Sequence, residues 1–204
     1  MGTTVTKQAR AEQTRSLLLD AAADLLHRDG YANTSMVDIS RAAGVTKGGL
    51  YFHFSSKDEI CDEVQDAAVA VLHAFVARQL TTPSPALRRL ADLGYALMSW
   101  IDTDARVGAS FRLAREMGAQ DVRFVAFTRA WLAQVHRYVT EARASGELAA
   151  TAPLDIVTLL LVVTCVGLES VVASHTVTLE SDLVDTLAAL WRLVDLSHPA
   201  CRTP

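Results

Sequence analysis

Cysteine, proline, glycine and aromatic residues are all scarce in this chain of 204 residues, and each scarcity excludes a class of protein. The three cysteines, Cys61, Cys165 and Cys201, form no CxxC or other metal-ligand pattern, and their small number fits a reduced cytoplasmic setting. Ten glycines and five prolines are too few for a collagen-like or low-complexity chain. Because only 6% of residues are aromatic while Ala and Leu dominate, the composition favours helix over sheet.

Apolar segments typical of secreted and membrane proteins are also lacking. Residues 1–15 are polar and contain no apolar signal-peptide core. The longest apolar stretch, residues 156–168, has 13 residues, whereas about 18 are needed to span a bilayer. We therefore expect a cytoplasmic protein without a membrane partner, in which this stretch forms a buried helix.

The chain contains none of the short motifs that mark common enzyme classes. HExxH, GxSxG, Walker A and GxGxxG sequences are absent, and the six histidines form no i, i+4 metal pair. Cys165 lies in the apolar stretch, where a thiol is an inert packing group. We therefore expect no catalytic residues, no metal and no cofactor.

Charge is distributed unevenly along the chain. The whole chain carries 19 basic and 23 acidic residues. This net charge of -4 argues against a protein whose whole surface is positively charged for binding nucleic acid. Residues 1–60 hold seven of each sign, however, so the remainder of the chain carries all of the excess negative charge. Within residues 39–57, Arg41, Lys47 and Lys57 are accompanied by no carboxylate. This local charge of +3 is compatible with a DNA-facing segment.

Apolar residues recur at helical spacing almost throughout, which predicts an all-α fold of about nine helices. Capping residues and glycines set the expected boundaries, including Ser35 with Asp38, Thr46, and Ser56 with Glu59. The first helix is expected to stop at Gly30. The other predicted helices cover approximately residues 36–43, 47–52, 56–80, 85–101, 102–118, 121–145, 153–175 and 180–196.

The functional signal lies in residues 35–57, SMVDISRAAGVTKGGLYFHFSSK. Two short helices flank the turn Ala43-Gly44-Val45-Thr46, which is the plan of a helix-turn-helix. Adjacent glycines cost about 1 kcal/mol each in a helix, so their presence predicts close approach of the backbone to a partner such as DNA. The expected contact face is small, cationic or hydrogen-bonding, and comprises Thr46, Lys47, Gly48, Gly49, Tyr51 and His53. Core positions are expected to be Leu50, Phe52 and Phe54.

Residues 8–60 resemble the DNA-binding domain of the TetR family of transcriptional regulators. The resemblance rests on Thr34-Ser35, on the continuous segment Ile39 to Phe54, and on Ser56-Lys57. It implies an N-terminal three-helix DNA-binding domain, residues 1–55, and a C-terminal ligand-binding and dimerisation domain, residues 56–204. It also implies a dimer on palindromic operator DNA and repression relieved by a small ligand. The similarity is greatest to the γ-butyrolactone autoregulator receptors of streptomycetes.

The resemblance and the local chemistry together predict the DNA contacts. Lys47 begins the recognition helix, where it can reach base edges or phosphate, and Tyr51 and His53 can donate to phosphate oxygens. Lys57, with the first amides of the fourth helix, is a candidate phosphate site. Thr34 and Ser35 are expected to cap the second helix and to lie near phosphate. Many family members have Ala where this chain has Gly49.

Candidate ligand contacts come from the same resemblance and from apolar patterning. Trp131 precedes the pair Glu141-Ala142 by ten residues and matches a ligand-stacking tryptophan of the receptor subgroup. Thr164 precedes Gly167 by three residues, where subgroup members carry a hydroxyl. The subgroup has a Gln where this chain has Ala68. Gln65, one turn earlier on the same face of the helix, is the predicted polar contact in its place, and this departure leaves the ligand class open. The remaining predicted contacts are Tyr95, Trp100, Phe111 and Phe127.

The last two predicted helices are expected to form a homodimer seam, because residues 156–172 are apolar on nearly every side and need partners on two faces. The stripe Leu183, Leu187, Leu190, Trp191 and Val194 on the last helix has the same character. Two alternatives to a γ-butyrolactone receptor remain open. One is a pseudo-receptor that answers to an antibiotic or other metabolite, and the other is a DNA-binding regulator without a ligand.

Overall fold

A computed structural model describes residues 2–118, 121–174 and 182–193, with side chains from residue 8 onward except at 172, 173 and 190–193. Nine α-helices and one 3-10 helix, Val122–Val125, make up the regular structure of these ranges, which confirms the all-α prediction. The α-helices are α1 (Gly2–Asn33), α2 (Met36–Ala42), α3 (Lys47–His53), α4 (Lys57–Gln79), α5 (Ala86–Thr103), α6 (Ala105–Met117), α7 (Ala126–Ala144), α8 (Leu154–Ala173) and α9 (Leu183–Leu193).

Two helix boundaries differ from the prediction. The predicted helix 121–145 is divided into two elements. The first is the 3-10 helix, which Asp121 caps through its side chain, and the second is α7. Helical hydrogen bonding in α1 continues to Asn33, although the backbone breaks at Gly30, where φ is +82°. Three predicted boundaries, the helix ends near His175 and Leu196 and the helix start near Glu180, lie outside the described residues. The same holds for the side chains of the stripe residues Leu190, Trp191 and Val194.

Contacts divide the chain into two compact units, the first formed by Met1–His73 and Asp104–Arg129. Its core joins α1, α2, α3, the first half of α4, α6 and the 3-10 helix. The largest contributions come from the fully buried side chains of Leu18, Leu26, Ile39, Leu50, Phe54, Ile60, Val64, Leu113 and Phe124.

An ion pair on α6 holds the C-terminal end of α1 within this first unit. Arg112 Nη1 donates to the backbone oxygens of His27 and Arg28, at 3.1 and 2.6 Å. Glu116, which pairs with Arg112, accepts from the backbone N–H of Tyr31 at 2.9 Å. The positive φ at Gly30 favours glycine, and a Cβ there would also displace the carboxylate of Glu116 from its present position.

The second unit, Ala74–Thr103 and Ala130–Pro204, packs α5 against α8 and α9. At Gly94 on α5 a Cβ would lie 3.5 Å from Leu187 Cδ2 and 3.9 Å from Cys165 Sγ, so the three helices meet there. Glu147 accepts from the backbone N–H groups of Ala86 and Leu87, at 2.9 Å each, and caps α5 from a distant loop. The helices α4 and α7 contribute residues to both units.

Helix α8 is apolar but presents much of its surface to solvent in the single chain. Large exposed side chains occur at helical spacing on one face, at Ile156, Leu159, Leu160, Val163 and Val171. By length and composition alone, the stretch Leu154–Val171, with a mean hydropathy of 2.1, is long and apolar enough to cross a membrane. Only 17% of this stretch is buried inside the chain. The predicted burial of this helix is therefore incomplete within one chain, because only the side that carries Leu161 and Cys165 packs inside the unit.

Candidate DNA interface and effector site

Helices α2 and α3 form a helix-turn-helix whose ends are closed by local side chains. Ser35 Oγ accepts from the backbone N–H of Asp38, and the Asp38 carboxylate accepts from the N–H of Ser35, both at 3.2 Å. Thr46 Oγ1 accepts from the N–H of Gly49 at 3.1 Å and caps α3. Gly44 turns the chain between them with a φ of +67°. The predicted caps at Ser35 and Thr46 are thereby confirmed.

One side of α3 is fixed in the core of the first unit. Leu50 and Phe54 are 0% and 1% exposed, as predicted. Phe52, predicted to be a core residue as well, is instead 80% exposed. The reason is helical geometry, because residue 52 lies about 200° around the helix from Leu50 and therefore points away from the core.

The other side of α3 is open, and most of the predicted DNA contacts lie there. Lys47 and Gly48 are exposed, Tyr51 is 48% exposed and His53 is half-buried. Lys47 Nζ lies 5.9 Å from the centre of the Tyr51 ring, so the cation and the phenol share one side of the helix. Charge, hydroxyl and imidazole groups thus surround a short, accessible backbone segment.

The two adjacent glycines have different surroundings. A Cβ at Gly48 would meet no atom of the described residues within 4 Å, so the backbone there is open to a partner. A Cβ at Gly49 would lie 2.9 Å from Val45 Cγ1 and 3.2 Å from Thr46 Oγ1. Gly49 therefore has a packing role inside the turn, in addition to the predicted approach to DNA.

Lys57 and Thr34, both predicted near phosphate, make internal hydrogen bonds. Lys57 Nζ donates to the backbone oxygens of Tyr31 and Thr34 at 2.7 and 2.9 Å, and it also lies 3.7 Å from the centre of the Tyr31 ring. Thr34 is 2% exposed and donates to the oxygen of Gly30 at 2.8 Å. The hydrogen bond from the Tyr31 hydroxyl to Asp58, together with burial, raises the pKa of Tyr31 to about 12. These bonds tie the start of α4 to the end of α1.

Three predicted effector contacts, Gln65, Phe111 and Phe127, meet in the first unit. Gln65 is 1% exposed, and its amide bridges backbone groups, accepting from the N–H of Phe127 at 3.0 Å and donating to the oxygen of Phe124 at 2.8 Å. The rings of Phe111 and Phe127 meet edge to face, with centres 5.8 Å apart. The Gln65 amide is thus committed to the backbone, which sequence reasoning did not anticipate.

The other four predicted effector contacts belong to the second unit. Tyr95 lines an open cleft of about 490 Å³ together with Phe75, Gln79, Asp92, Ala96, Ser99 and Val184. Trp100 is half-buried against Phe75, with ring centres 5.1 Å apart. Thr164 is half-buried and donates to the oxygen of Leu160 at 2.7 Å. Neither Thr164 nor Trp131 lines the cleft.

Trp131 combines deep burial with an unused donor. The side chain is 1% exposed, and its Nε1 is buried without a hydrogen-bond partner among the described residues. A buried N–H without an acceptor costs about 1–3 kcal/mol, so such groups are rare unless a ligand or water supplies the acceptor. Trp131 is therefore the predicted effector contact with the clearest unsatisfied chemistry.

Metal-binding side chains and reactive thiols are the other groups of interest in the described part of the chain. No cluster of three or more His, Cys, Asp or Glu side chains that could hold a metal ion occurs there. Burial raises the pKa of Cys61 to about 12, and burial has the same effect on the pKa of Cys165, so both thiols stay protonated at neutral pH.

Known proteins match both the helix-turn-helix and the whole fold. The family model described as bacterial regulatory proteins, tetR family, matches residues 18–64. The A-factor receptor protein of Streptomyces griseus is 48% identical over 60 residues, which cover 29% of this chain and 22% of that protein. The first curated relatives are matched over only 22% to 27% of their length.

Two solved structures extend the likeness to most of the chain. A γ-butyrolactone receptor described as ArpA-like superimposes with a TM-score of 0.75 and 26% identity, covering 91% of this chain and 87% of that one. Full-length TylP, a TetR regulator from Streptomyces fradiae, is 30% identical with a TM-score of 0.70, covering 92% of this chain and 88% of that one. The chain therefore belongs to the TetR family of DNA-binding transcriptional regulators, near the γ-butyrolactone receptors.

Proposed function

We propose that this protein is a cytoplasmic, ligand-responsive repressor that binds palindromic operator DNA as a dimer and is released by a small, largely apolar effector. The observation that carries the proposal is the exposed side of α3. The opposite side of this helix is buried in the core, and the helix is the second one of a helix-turn-helix typical of the family. Residues 1–55 supply the DNA-binding domain, and residues 56–204 supply effector binding and dimerisation.

The recognition helix enters the major groove with Gly48 at the point of closest approach. Lys47 contacts base edges or phosphate from the first turn, while Tyr51 and His53 contact the phosphate backbone. Support comes from the exposure of Lys47, Gly48 and Tyr51 and from the local charge of +3 in residues 39–57. The phosphate-facing surface is completed by the caps at Ser35 and Thr46, by the start of α4 at Lys57, and by the backbone near Thr34 and Gly49.

Dimerisation uses the exposed apolar face of α8 together with α9. Ile156, Leu159 and Val163 are each more than half exposed and share one side of the helix at spacings of three, four and seven residues. A contiguous apolar face of this kind marks an interaction surface, and a second copy of the same face is complementary to it. The dimer then presents two recognition helices to half-sites about one helical turn of DNA apart or a multiple of that.

The effector is proposed to contact Trp131. A lactone offers an apolar ring face for stacking on the indole and a carbonyl oxygen that accepts from the unused Nε1 donor. The names of two relatives, the A-factor receptor and the γ-butyrolactone receptor, support this chemical class. Tyr95, Trp100 and Thr164, which belong to the same unit as Trp131, remain predicted contributors to the effector site.

Effector binding is proposed to act on DNA affinity by moving α4. This helix starts at Lys57, which is bonded to the end of α1, and it contains Gln65, which is bonded to the first turn of α7. A shift of α4 changes the separation of the two recognition helices in the dimer, and a dimer with the wrong separation fits only one half-site.

A second candidate is a pseudo-receptor that responds to an antibiotic or another metabolite. Two observations favour keeping it. Ala68 replaces the Gln of the receptor subgroup, and the amide of Gln65 is already bonded to the backbone of Phe124 and Phe127, so it is not free to replace that Gln. The dimer, the operator and the coupling are the same for both candidates, and only the effector differs.

Selection of bound genomic fragments tests the proposal. Purified protein is mixed with sheared genomic DNA, and the bound fragments are sequenced with and without extract from the same cells. We expect a few enriched fragments that share a palindrome and are lost when extract is added. If neither the extract nor a panel of lactones, furans, butenolides and antibiotics changes the enrichment, the result supports a regulator without a ligand. If no fragment is enriched, the result contradicts operator binding.

A further inference from the structure

Phe52 has the highest exposed fraction among the large hydrophobic side chains of the described residues. Its value is 80%, compared with 62% for Leu80 and 61% for Val122. Single exposed hydrophobic residues are common on protein surfaces, so exposure by itself says little. The position of Phe52 on the recognition helix is what gives the exposure a meaning.

Phe52 and Gly48 form the outermost side of α3. They are four residues apart and therefore share one side of the helix. The buried Leu50 is two residues from each of them, which is about 200° around the helix. Gly48 and Phe52 therefore both face away from the core. No atom of the described residues lies within 4 Å of a Cβ built at Gly48, so the surface beside the Phe52 ring is also open.

The surroundings of the Phe52 ring are polar. Its ring contact is an edge-to-face one with the imidazole of His53, at 5.1 Å between centres. Lys47 and Tyr51 occupy the adjacent side of the helix, where Lys47 Nζ lies 5.9 Å from the centre of the Tyr51 ring. The helix thus presents a cation and hydroxyl on one side for phosphate, and an apolar ring at its outermost point.

We propose that Phe52 is a specificity residue whose ring packs against the C5-methyl group of a thymine in each operator half-site. The proposal rests on the proposed function and deepens it. A helix that approaches the groove closely enough to use the open backbone at Gly48 brings the Phe52 ring to the base edges one turn later. The thymine methyl is the apolar group that the major groove offers there, and apolar side chains recognise it.

The test removes single methyl groups from the DNA. Random duplexes are first selected with the full-length wild-type protein, and each thymine of the selected operator is then replaced, one position at a time, by deoxyuridine. Affinities are measured for wild type, Phe52→Ala and the control Val122→Ala, which removes a similarly exposed apolar side chain outside the helix-turn-helix. Because Phe52 is so exposed, thermal unfolding of Phe52→Ala is expected to match that of wild type.

We expect one thymine in each half-site at which deoxyuridine weakens wild-type and Val122→Ala binding about fourfold, as expected for loss of one buried methyl group. Phe52→Ala is expected to bind the parent operator more weakly and to be insensitive to the same replacement. The proposal is overturned if wild type and Phe52→Ala are equally sensitive to deoxyuridine at every thymine. It is also overturned if Phe52→Ala loses the same affinity for every duplex, since that result indicates packing on the sugar-phosphate backbone. If wild type selects no sequence at all, the proposed function itself fails, and this inference falls with it.

Discussion

The side-chain oxygen of Gln65 accepts a hydrogen bond of 3.0 Å from the backbone N–H of Phe127, in the first turn of α7. Its Nε2 group donates to the oxygen of Phe124, at the end of the 3-10 helix. One buried amide therefore joins α4 to the point at which the 3-10 helix gives way to α7. This bridge explains why the segment predicted as one helix is divided.

Replacing this amide is expected to destabilise the fold. Gln65→Leu keeps the approximate shape but leaves one buried N–H and one buried carbonyl unpaired, so we expect a loss of about 2–4 kcal/mol in the free energy of unfolding. Urea unfolding followed by circular dichroism measures it. Gln134→Leu is the control, because Gln134 is similarly buried but its Nε2 has no partner in the described structure. Equal losses for the two variants would contradict a bridging role for Gln65.

Lys47 is expected to contribute electrostatically to operator binding. Lys47→Ala should weaken binding and lower the slope of log affinity against log salt concentration by about 1, as for loss of one phosphate contact. Affinity measured at four or more salt concentrations gives the slope. Arg88→Ala, which removes an exposed cation from α5 in the second unit, should leave both quantities unchanged. An unchanged slope for Lys47→Ala would show that this side of α3 does not face DNA.

Gly48 and Gly49 provide a paired test of backbone approach. Gly48→Ala has room for its methyl group, so we expect a gain of roughly 0.5–1 kcal/mol in stability from better helix propensity, together with weaker operator binding. Gly49→Ala should gain less stability, because its Cβ approaches Val45 Cγ1 to 2.9 Å. Thermal unfolding and operator affinity of both variants measure these effects. Full operator affinity for Gly48→Ala would exclude close approach at that position.

The exposed face of α8 is expected to hold the dimer together. Val163→Glu and Leu159→Glu place a charge at positions that are 58% and 55% exposed in the single chain, so folding should persist while dimerisation is lost. Sedimentation equilibrium should show monomers, and operator affinity should fall with the loss of the second half-site contact. Leu132→Glu, at a 39% exposed position on α7, should remain dimeric. A dimer that survives both α8 substitutions would exclude this face.

Local signals in the sequence predicted much of the fold. The caps at Ser35 and Thr46 and the break at Gly30 involve residues within a few positions of one another, so they can be read without tertiary information. The cap of α5 by Glu147 and the division of the segment after Asp121 depend on residues about 60 positions apart. Patterns of local spacing carry no information about such distant partners.

The candidate sites show the same contrast between local and distant information. The helix-turn-helix is contiguous in sequence, so its cap residues and its exposed face followed from spacing and resemblance. The prediction of Phe52 as a core residue is wrong because apolar character does not determine the side of a helix, whereas a spacing of four from Gly48 indicates the outer side of α3. The backbone bonds of Gln65 and the unpaired donor of Trp131 depend on distant packing and became apparent only in the structure.

Trp131 provides the most direct test of effector sensing, because its buried Nε1 has no partner in the described residues. Trp131→Ala should retain operator affinity and lose effector-induced release, although the cavity costs about 3–5 kcal/mol of stability. Trp131→Phe preserves an aromatic ring and removes the donor. It should fold normally and require roughly fivefold more effector, as expected for loss of one hydrogen bond.

Release of the selected operator by the effector-containing extract fraction is the measurement that bears most directly on a ligand-responsive repressor. Fluorescence anisotropy of labelled operator follows release as the fraction is titrated into wild type, Trp131→Phe and Trp131→Ala. We predict complete release from wild type, release at higher concentration from Trp131→Phe, and retained operator with Trp131→Ala. Normal release from Trp131→Ala would remove Trp131 from the sensor, and failure of every fraction to release wild type would contradict ligand-responsive repression.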